Sequence, residues 1–487
     1  MAHYGPLTNR LPQLPGAIGK GNVVQRVLSR FEQNRTSQLL LLLLVLAIAA
    51  ALRLYKLGEW SFWGDEWITV RRSLTLFEEG LRRTSFSLIV TRGFLSFLGV
   101  DEWSARLAAA VVGIASIPLV YALATRAFDR RVALVAILLL AISPWHIYWS
   151  QNARFYTTLL LFFTLSLFFF YFGLEEDRPS LLILSLVFLG LAVQERLIAA
   201  FLGPITAGYV VLLILLRFPK PSGLRFRNLA LFFGPGIVAA LAVVYETFFL
   251  RVARWENAFT FVNNNPFWLL GGVVFYVGIP VTCLSVAGAL YLLQQKNRAG
   301  LLLALASIIP LGGVLILSFM QFTANRYVFV SLTSLIILAS VAVIELIRHV
   351  DKGKYLAFAV LAIVLLGGLG DNLLYYRYQH GNRDNWRDAF ALIERRAEAG
   401  DMIITTHREL ADYYLGQSTV GMQSLDLSTV QDGSRRAWFI LDLTAPDKVP
   451  EVFNWVQQNG RPIANFDVTV TARTFPMRIY LYDPGDT

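Results

Sequence analysis

The sequence predicts a polytopic α-helical membrane protein with about eleven transmembrane helices and a small extracytoplasmic α/β domain at its C-terminal end. Hydrophobic residues make up 56% of its 487 residues and charged residues only 16%, whereas soluble domains contain about 25% charged residues. Apolar runs of about 17–22 residues recur, and each is long enough to cross ~30 Å of hydrocarbon. The composition changes abruptly after Leu374, where charged residues become frequent.

The apolar runs define the predicted domain order. Residues 1–37 are polar and basic, and we expect them to form a cytoplasmic tail. Residues 38–374 form the predicted membrane domain. The expected spans are 38–54, 104–125, 132–148, 157–173, 181–193, 197–216, 229–247, 267–293, 299–319, 329–347 and 355–374.

The loop charges predict the orientation. Short loops on the predicted inner side contain 13 Lys and Arg, whereas those on the outer side contain 5. Because short cytoplasmic loops are enriched in basic residues, the N-terminus is expected inside and the C-terminus outside. All eleven tryptophans then fall on or near the outer side. The net charge of +10 is therefore explained by topology, and no nucleic-acid partner is predicted.

Two regions lie outside the spans. The first outer loop, 55–103, mixes apolar residues with arginines, which is typical of helices that lie in the membrane interface. Residues 375–487 form the predicted α/β domain. Its expected helices are 386–399, 407–415 and 448–458, and its expected strands are 401–406, 438–443, 464–471 and 476–482.

The first candidate for chemistry is the stretch Gly58–Arg72, directly after the first span. It contains the adjacent carboxylates Asp65 and Glu66, flanked by three tryptophans that favour the membrane–water interface. A poorly solvated carboxylate at this depth can act as a general base. The alternative interpretation is an interfacial loop whose acidic side chains face water.

A second candidate is Ser143–Tyr156, at an outer turn. Arg154 lies at the mouth of a span, where a cation needs a partner or an anion. Its planar guanidinium group matches a pair of phosphate oxygens. Gln151, Asn152 and Tyr156 add neutral hydrogen-bond donors beside it. The alternative is an arginine that extends to lipid headgroups.

The third candidate is Asn325–Tyr327, where Arg326 is again a single cation at an outer span end. Extension to headgroups is the alternative here too. His146 has no second histidine at metal-ligand spacing, so a structural role is expected for it. Phosphate-binding glycine loops and nucleophile elbows are absent from the sequence, which argues against a nucleotide-driven pump.

Together these stretches resemble the GT-C membrane glycosyltransferases, and most closely the branch of protein O-mannosyltransferases and bacterial aminoarabinose transferases for lipid A. The matching motifs are Gly64-Asp65-Glu66, Ser150-Gln151-Asn152-Ala153-Arg154-Phe155-Tyr156, Asn325-Arg326-Tyr327 and Trp386-Arg387-Asp388-Ala389. Many relatives carry a His-Pro-Pro stretch in the first outer loop, and the corresponding region here is Ser85–Phe94.

The resemblance implies a membrane catalytic domain that transfers a sugar from a polyprenyl-phosphate-linked donor to a hydroxyl acceptor. Asp65 would be the general base, and Glu66 would assist or orient it. Arg154, Arg326 and Arg92 would hold the donor phosphate. The expected substrate contacts are Gln151, Asn152, Tyr156, Tyr327 and Trp63.

The resemblance also allows a divalent ion, Mg²⁺ or Mn²⁺, for which Asp65 and Glu66 are the available ligands. The expected partners are the lipid-linked donor, a lipid, glycan or protein acceptor, and membrane lipids. We expect a multi-pass protein of the inner (plasma) membrane whose active site faces away from the cytoplasm. Residues 375–487 contain no catalytic constellation, and we expect them to guide the acceptor.

The alternative function is a polyprenyl-lipid flippase or another transporter. Transporters place polar residues near the membrane midplane and often have broken spans in two related halves. In this sequence the charges avoid the span centres and gather towards one side, which favours chemistry at an outer interface.

Overall fold

Apolar helices dominate this computed structural model, which describes residues 35–76, 78, 84–244, 265–319, 323–349, 353–431, 435–470 and 473–486. Nearly all of the predicted cytoplasmic tail lies outside the described residues. The same holds for most of the predicted outer loop at 248–266 and for part of the first outer loop. The helices that precede the C-terminal domain are α1 (Arg35–Leu54), α2 (Gly64–Leu74), α3 (Phe86–Leu98), α4 (Glu102–Ala127), α5 (Arg130–Ile142), α6 (Pro144–Ser150), α7 (Tyr156–Glu175), α8 (Pro179–Glu195), α9 (Leu202–Leu215), α10 (Phe226–Val244), α11 (Pro266–Val277), α12 (Ile279–Gln294), α13 (Arg298–Ser318), α14 (Leu332–His349) and α15 (Gly353–Arg377).

These helices confirm a polytopic α-helical membrane protein, but they do not confirm eleven spans. Within the described residues, six helices are long and apolar enough to cross a membrane, or up to eight if each of two bent pairs counts as one span. Every predicted span coincides with at least one helix. Several of these helices, such as α8, are shorter than a full crossing requires.

Two predicted spans are broken. α5 and α6 are bent by 60° where Pro144 begins α6, and α11 and α12 are bent by 93° at Gly278. Gly278 has a φ of +91°, a conformation that glycine adopts without the steric cost of a Cβ atom. The predicted span over 267–293 is therefore not one continuous helix. The chain turns sharply there instead of crossing in one helix.

The first outer loop contains two helices, α2 and α3. The sequence analysis predicts no helix within Gly58–Arg72. In the structure α2 begins at Gly64, and Asp65 and Glu66 lie in its first turn. Carboxylates in the first turn favourably oppose the partial positive charge of a helix N-terminus. α2 ends at Leu74, and α3 covers Phe86–Leu98.

The C-terminal region forms the predicted small α/β domain. Its elements are α16 (Trp386–Arg396), β1 (Met402–Thr405), α17 (Arg408–Leu415), β2 (Val420–Gly421), α18 (Ser428–Gln431), β3 (Ala437–Leu441), α19 (Ala445–Lys448), α20 (Pro450–Asn459), β4 (Arg461–Asn465), β5 (Val468–Val470), β6 (Arg473–Phe475) and β7 (Arg478–Tyr482). The five-stranded sheet has the order β2-β1-β3-β7-β4, with the first three strands parallel and β7 antiparallel to β3 and β4. β5 and β6 form a separate antiparallel pair. The single strand expected over 464–471 is therefore two strands, the end of β4 and β5.

This domain shares a hydrophobic core with the first outer loop. Phe62 and Val70, before and within α2, are fully buried in the same cluster as Trp386, Phe390 and Ile440. Burial of apolar surface is the main stabilising contribution to packing of this kind. The position of α2 therefore depends on residues that lie more than 300 positions later in the chain.

Candidate active site

Asp65 lies in the first turn of α2, with its side chain 29% exposed. The residue before the helix, Trp63, is extended and provides no side-chain cap. Its backbone carbonyl accepts the N–H groups of Glu66 and Trp67, which closes the first turn. The carboxylate of Asp65 is thus fixed at a helix N-terminus.

Arg154 and Arg326 both contact this carboxylate. Nη2 of Arg154 lies 3.5 Å from Oδ2 of Asp65, and Nη1 of Arg326 lies 3.3 Å from the same oxygen. Nη1 of Arg154 also donates to the backbone carbonyl of Asp65 at 2.8 Å and to the hydroxyl of Thr69 at 3.0 Å. The structure therefore brings together the predicted base and two of the three predicted phosphate ligands.

The charges of this trio do not balance, since two guanidinium groups face one carboxylate. The buried Nε atoms of Arg154 and Arg326 have no hydrogen-bond partner among the described residues. Buried donors without partners cost free energy unless a ligand or water satisfies them. A net positive site with unused donors is suited to binding an anion.

A cavity of about 820 Å³ adjoins the trio. Arg326 and Trp63 form part of its wall, and the aromatic side chains of Trp145, Tyr148 and Tyr276 form another part. Asp65 reaches this wall through its ion pair with Arg326. The cavity thus offers an aromatic surface beside a cationic edge.

A second cavity, of about 250 Å³, continues from the first along the bent helices. Phe275 and Tyr276 line both cavities. The second is otherwise bounded mainly by aliphatic residues of α5, α14 and α15 and by the turn around Gly278, with Asp371 as the charged residue in its lining. A cationic cavity that leads into an apolar one matches a ligand with a charged head and a hydrocarbon tail.

Glu66 has a different environment from Asp65. It is fully buried, and Arg106 donates to both of its carboxylate oxygens at 2.8 Å. The Ala153 backbone N–H donates at 2.8 Å and Arg383 at 3.3 Å. Burial by itself raises the pKa of Glu66, but the two arginines and these hydrogen bonds outweigh it, so the pKa is lowered.

The four hydrogen bonds occupy all the lone-pair positions of this carboxylate, two on each oxygen. Glu66 therefore holds α2 in place, which fits the orienting part of its predicted role. It has no free oxygen for a metal ion. Within the described residues, no group of three or more His, Cys, Asp or Glu is suited to a metal either. The residues present do not fit the divalent ion that the resemblance allows.

The predicted neutral donors support the scaffold. The Gln151 side-chain amide donates to the carbonyls of Leu52, Arg53 and Tyr55, where α1 ends. Asn152 accepts the indole N–H of Trp63 at 2.8 Å and so fixes the residue that precedes α2. Gln151 and Asn152 are fully buried, and neither belongs to the lining of the large cavity.

The two predicted tyrosines lie beside the arginines. Tyr156 is buried against Trp149, with ring centroids 4.0 Å apart. The Tyr327 ring lies 5.9 Å from the guanidinium carbon of Arg326, within range of a cation–π contact. Of the five predicted substrate contacts, Trp63 is the one in the wall of the large cavity.

Arg92 does not lie beside Asp65 with the other two predicted phosphate ligands. It donates to the backbone carbonyls of Ser73 and Leu74, at the C-terminal end of α2. Carbonyl groups at a helix end attract cations. The structure therefore places Arg92 at the opposite end of α2 from Asp65, and its predicted phosphate contact gains no support from this geometry.

Sequence reasoning missed Arg106 and Arg383. Arg106 lies inside a predicted span, where a charged side chain requires a partner. Its position in the sequence was therefore a signal that it pairs with a carboxylate such as Glu66. Arg383 precedes the Trp386 motif by only three residues, but its contact with Glu66 crosses 317 positions of the chain. The expectation for His146 is confirmed, since this buried ring accepts a hydrogen bond from Arg53 at 2.8 Å.

Comparison with known proteins identifies this arrangement. Residues 86–244 match the family model of dolichyl-phosphate-mannose-protein mannosyltransferases. The structure is similar to ArnT from Cupriavidus metallidurans in the apo state, with a TM-score of 0.57 and 17% identity over 91% of this chain and 98% of that one. The chain therefore has the fold of the GT-C membrane glycosyltransferases. This confirms the fold that the sequence-based resemblance implies.

Two further GT-C structures have the same architecture. ArnT bound to undecaprenyl phosphate gives a TM-score of 0.58 at 17% identity, over 90% of this chain and 97% of that one. The archaeal oligosaccharyltransferase AglB from Archaeoglobus fulgidus, in complex with an inhibitory peptide and a dolichol-phosphate, gives 0.55 at 12% identity, over 92% of this chain and 74% of that one. No match was found among curated protein sequences.

Proposed function

We propose that this GT-C protein transfers a sugar from a polyprenyl-phosphate-linked donor to a hydroxyl acceptor on the extracytoplasmic side of the inner membrane. The observation that carries the proposal is the carboxylate of Asp65 held between Arg154 and Arg326 beside the large cavity. The polyprenyl phosphates present in the ArnT and AglB complexes support the donor class. The loop charges support the sidedness.

In this proposal the donor phosphate binds the two arginines. An anion that enters the cavity meets Arg326 in its wall. It can satisfy the Nε donors of Arg154 and Arg326, which have no hydrogen-bond partner in the described part of the chain. The polyprenyl chain occupies the apolar cavity that continues past Phe275 and Tyr276. Phosphate binding also draws the guanidinium groups away from Asp65, which leaves that carboxylate free to accept a proton.

The transfer step is a direct displacement. The acceptor oxygen attacks the anomeric carbon, and its proton passes to the carboxylate of Asp65. The bond between the anomeric carbon and the phosphate oxygen breaks, and its electron pair remains on the departing lipid phosphate. Arg154 and Arg326 stabilise the charge that develops there. The anomeric configuration inverts, and no step requires a metal ion held by Asp65 and Glu66.

Asp65→Asn tests the proposal. The amide keeps the shape of the side chain but cannot accept the proton, and loss of a general base lowers rates by roughly 10²–10⁴-fold. The measurement is release of polyprenyl phosphate from polyprenyl-phosphate-linked hexoses by the purified protein in nanodiscs. Binding of undecaprenyl phosphate, measured separately, is expected not to weaken.

The control is Asp447→Asn, at an exposed aspartate of the C-terminal domain. It is expected to transfer sugar at the wild-type rate. Near wild-type transfer by Asp65→Asn would show that the site is assigned wrongly.

A further inference from the structure

The start of α2 is in direct contact with the C-terminal domain. A Cβ atom added to Gly64 would lie 2.7 Å from Cε1 and 3.1 Å from Nδ1 of His407, and its three nearest atoms all belong to this ring. Real Cβ contacts are not this short, so any residue larger than glycine at position 64 has to displace the imidazole. Gly64 is the residue immediately before Asp65.

The His407 ring is itself held in place. Its Nε2 lies 3.3 Å from Oδ2 of Asp442, which is 5% exposed. Asp442 in turn accepts the backbone N–H and hydroxyl of Thr444, at 3.1 and 3.0 Å. Trp386 packs edge-on against the imidazole, with ring centroids 5.3 Å apart. The ring therefore has little freedom to turn away from Gly64.

The charge state of Asp442 supports this chain of contacts. Burial raises its pKa, but the hydrogen bonds from His407 and Thr444 contribute to a net lowering of the pKa. Asp442 is thus an anion that accepts hydrogen bonds. Contacts run without a gap from the end of β3 through Asp442 and His407 to Gly64.

Two further contacts join α17, which His407 precedes, to the surroundings of Asp65. The backbone N–H of Phe62 donates to the Tyr414 hydroxyl at 2.8 Å, just before α2. Arg71 forms an ion pair with Glu409 towards the end of α2. α17 therefore contacts α2 or its flanks before, at and after the candidate base.

We propose that His407, oriented by Asp442, is a positioning residue that sets where α2 begins and hence where the Asp65 carboxylate lies relative to Arg154 and Arg326. The inference rests on the proposed function, in which Asp65 is the general base. A displacement of reacting groups by about 1 Å can lower a rate by roughly 10²-fold. The fold thereby assigns the C-terminal domain a part in catalysis that is distinct from acceptor guidance.

The test exploits the close approach of Gly64 and His407. Gly64→Ala is expected to lower kcat by roughly 10²-fold, because the new methyl group displaces the start of α2. In the double variant Gly64→Ala/His407→Ala the methyl group enters the space that the ring leaves. We expect the double variant to transfer sugar at least tenfold faster than Gly64→Ala alone.

A matched control and a conservative variant separate positioning from general packing. Gly93→Ala, in α3, places its methyl group where no atom lies within 4 Å, and its rate is expected to be unchanged. His407→Gln keeps a donor that can reach Asp442, so its kcat is expected to exceed that of His407→Ala. In all variants that fold, the Kd for undecaprenyl phosphate should stay within threefold of wild type.

Wild-type kcat in Gly64→Ala, or no recovery in the double variant, would overturn the inference. Failure of the proposed function would look different. In that case Asp65→Asn would retain its rate, while Gly64→Ala and His407→Ala would still be coupled in a double-mutant cycle of thermal stability.

Discussion

Arg326 lies 3.3 Å from the carboxylate of Asp65, although 261 residues separate the two in the chain. Arg154, in the short connection between α6 and α7, contacts the same oxygen. One acid therefore occupies the position between two cations at the edge of the cavity. When a donor phosphate takes the place of the Asp65 carboxylate between the two arginines, the same exchange of ion pairs binds the donor and frees the base.

The first prediction concerns these two cations. Arg154→Ala and Arg326→Ala are each expected to weaken binding of undecaprenyl phosphate by roughly 10- to 150-fold, since a hydrogen bond to a charged group contributes about 1.5–3 kcal/mol. The measurement is Kd in nanodiscs. Arg92→Ala is the control, with less than a threefold change expected because Arg92 is bound to carbonyls at the far end of α2. A larger effect at Arg92 than at Arg154 would restore Arg92 as a phosphate ligand.

Glu66→Gln is expected to lower the stability of the protein and not only its rate of sugar transfer. The substitution leaves Arg106 and Arg383 without their buried counter-ion, and loss of one partner of a buried ion pair costs about 3–5 kcal/mol. Thermal unfolding in detergent measures this. Glu59→Gln, at an exposed glutamate paired with Lys56, should shift stability by less than ~0.5 kcal/mol. A Glu66→Gln protein as stable as wild type would contradict a structural role for this carboxylate.

Truncation after residue 380 is expected to destroy the fold and not merely acceptor specificity. It removes Arg383 from Glu66 and exposes Phe62 and Val70, which are buried against the C-terminal domain. Size-exclusion chromatography and thermal unfolding report the result. A control truncation after Asp483 leaves every strand intact and should behave as wild type. A stable truncated protein that still binds undecaprenyl phosphate would show that α2 folds without this domain.

Acid is expected to destabilise the protein between about pH 6.5 and pH 4. Burial, assisted by the charge of Arg383, lowers the pKa of His380 from 6.5 to about 4. The unfolded chain therefore binds a proton in this range that the folded chain does not, so stability falls as pH falls. His380→Asn should reduce the fall in melting temperature between pH 7 and pH 5. The control is His349→Asn, at an exposed histidine. If His380→Asn leaves the pH dependence of the melting temperature unchanged, His380 is not the group responsible.

Chelation is expected to leave sugar transfer intact. Both oxygens of Glu66 are occupied by protein donors, and Asp65 faces two arginines. EDTA at millimolar concentration, followed by assay of polyprenyl phosphate release, measures this. In parallel assays, Mg²⁺ or Mn²⁺ is added back to the EDTA-treated protein. Loss of transfer that either ion restores would show that a metal site exists elsewhere in the chain.

Sequence patterns predicted the helices and the small α/β domain because hydrophobic runs and strand periodicity are local properties. They also selected Asp65, as a carboxylate among tryptophans, and Arg154 and Arg326, as single cations at span ends, and the structure places these three side chains together. They did not reveal that Asp65 and Glu66 differ so strongly, because adjacent residues on a helix point to different sides. Tertiary contacts decide that Asp65 pairs with the partly exposed Arg154 and Arg326, whereas Glu66 pairs with the buried Arg106 and Arg383. The 93° bend at Gly278 was missed for a related reason, since hydropathy remains high across it.

The burial of Glu66 against Arg383 also constrains when the candidate site can form during synthesis of the chain. Translation proceeds at about 5–20 residues per second, so roughly 15–60 s pass between the synthesis of residue 66 and that of residue 383. During this interval Glu66 of α2 has Arg106 but not Arg383 as a counter-ion, and the C-terminal part of its hydrophobic surroundings is missing. The candidate site is therefore complete only when the last quarter of the polypeptide has left the ribosome and packed against α2.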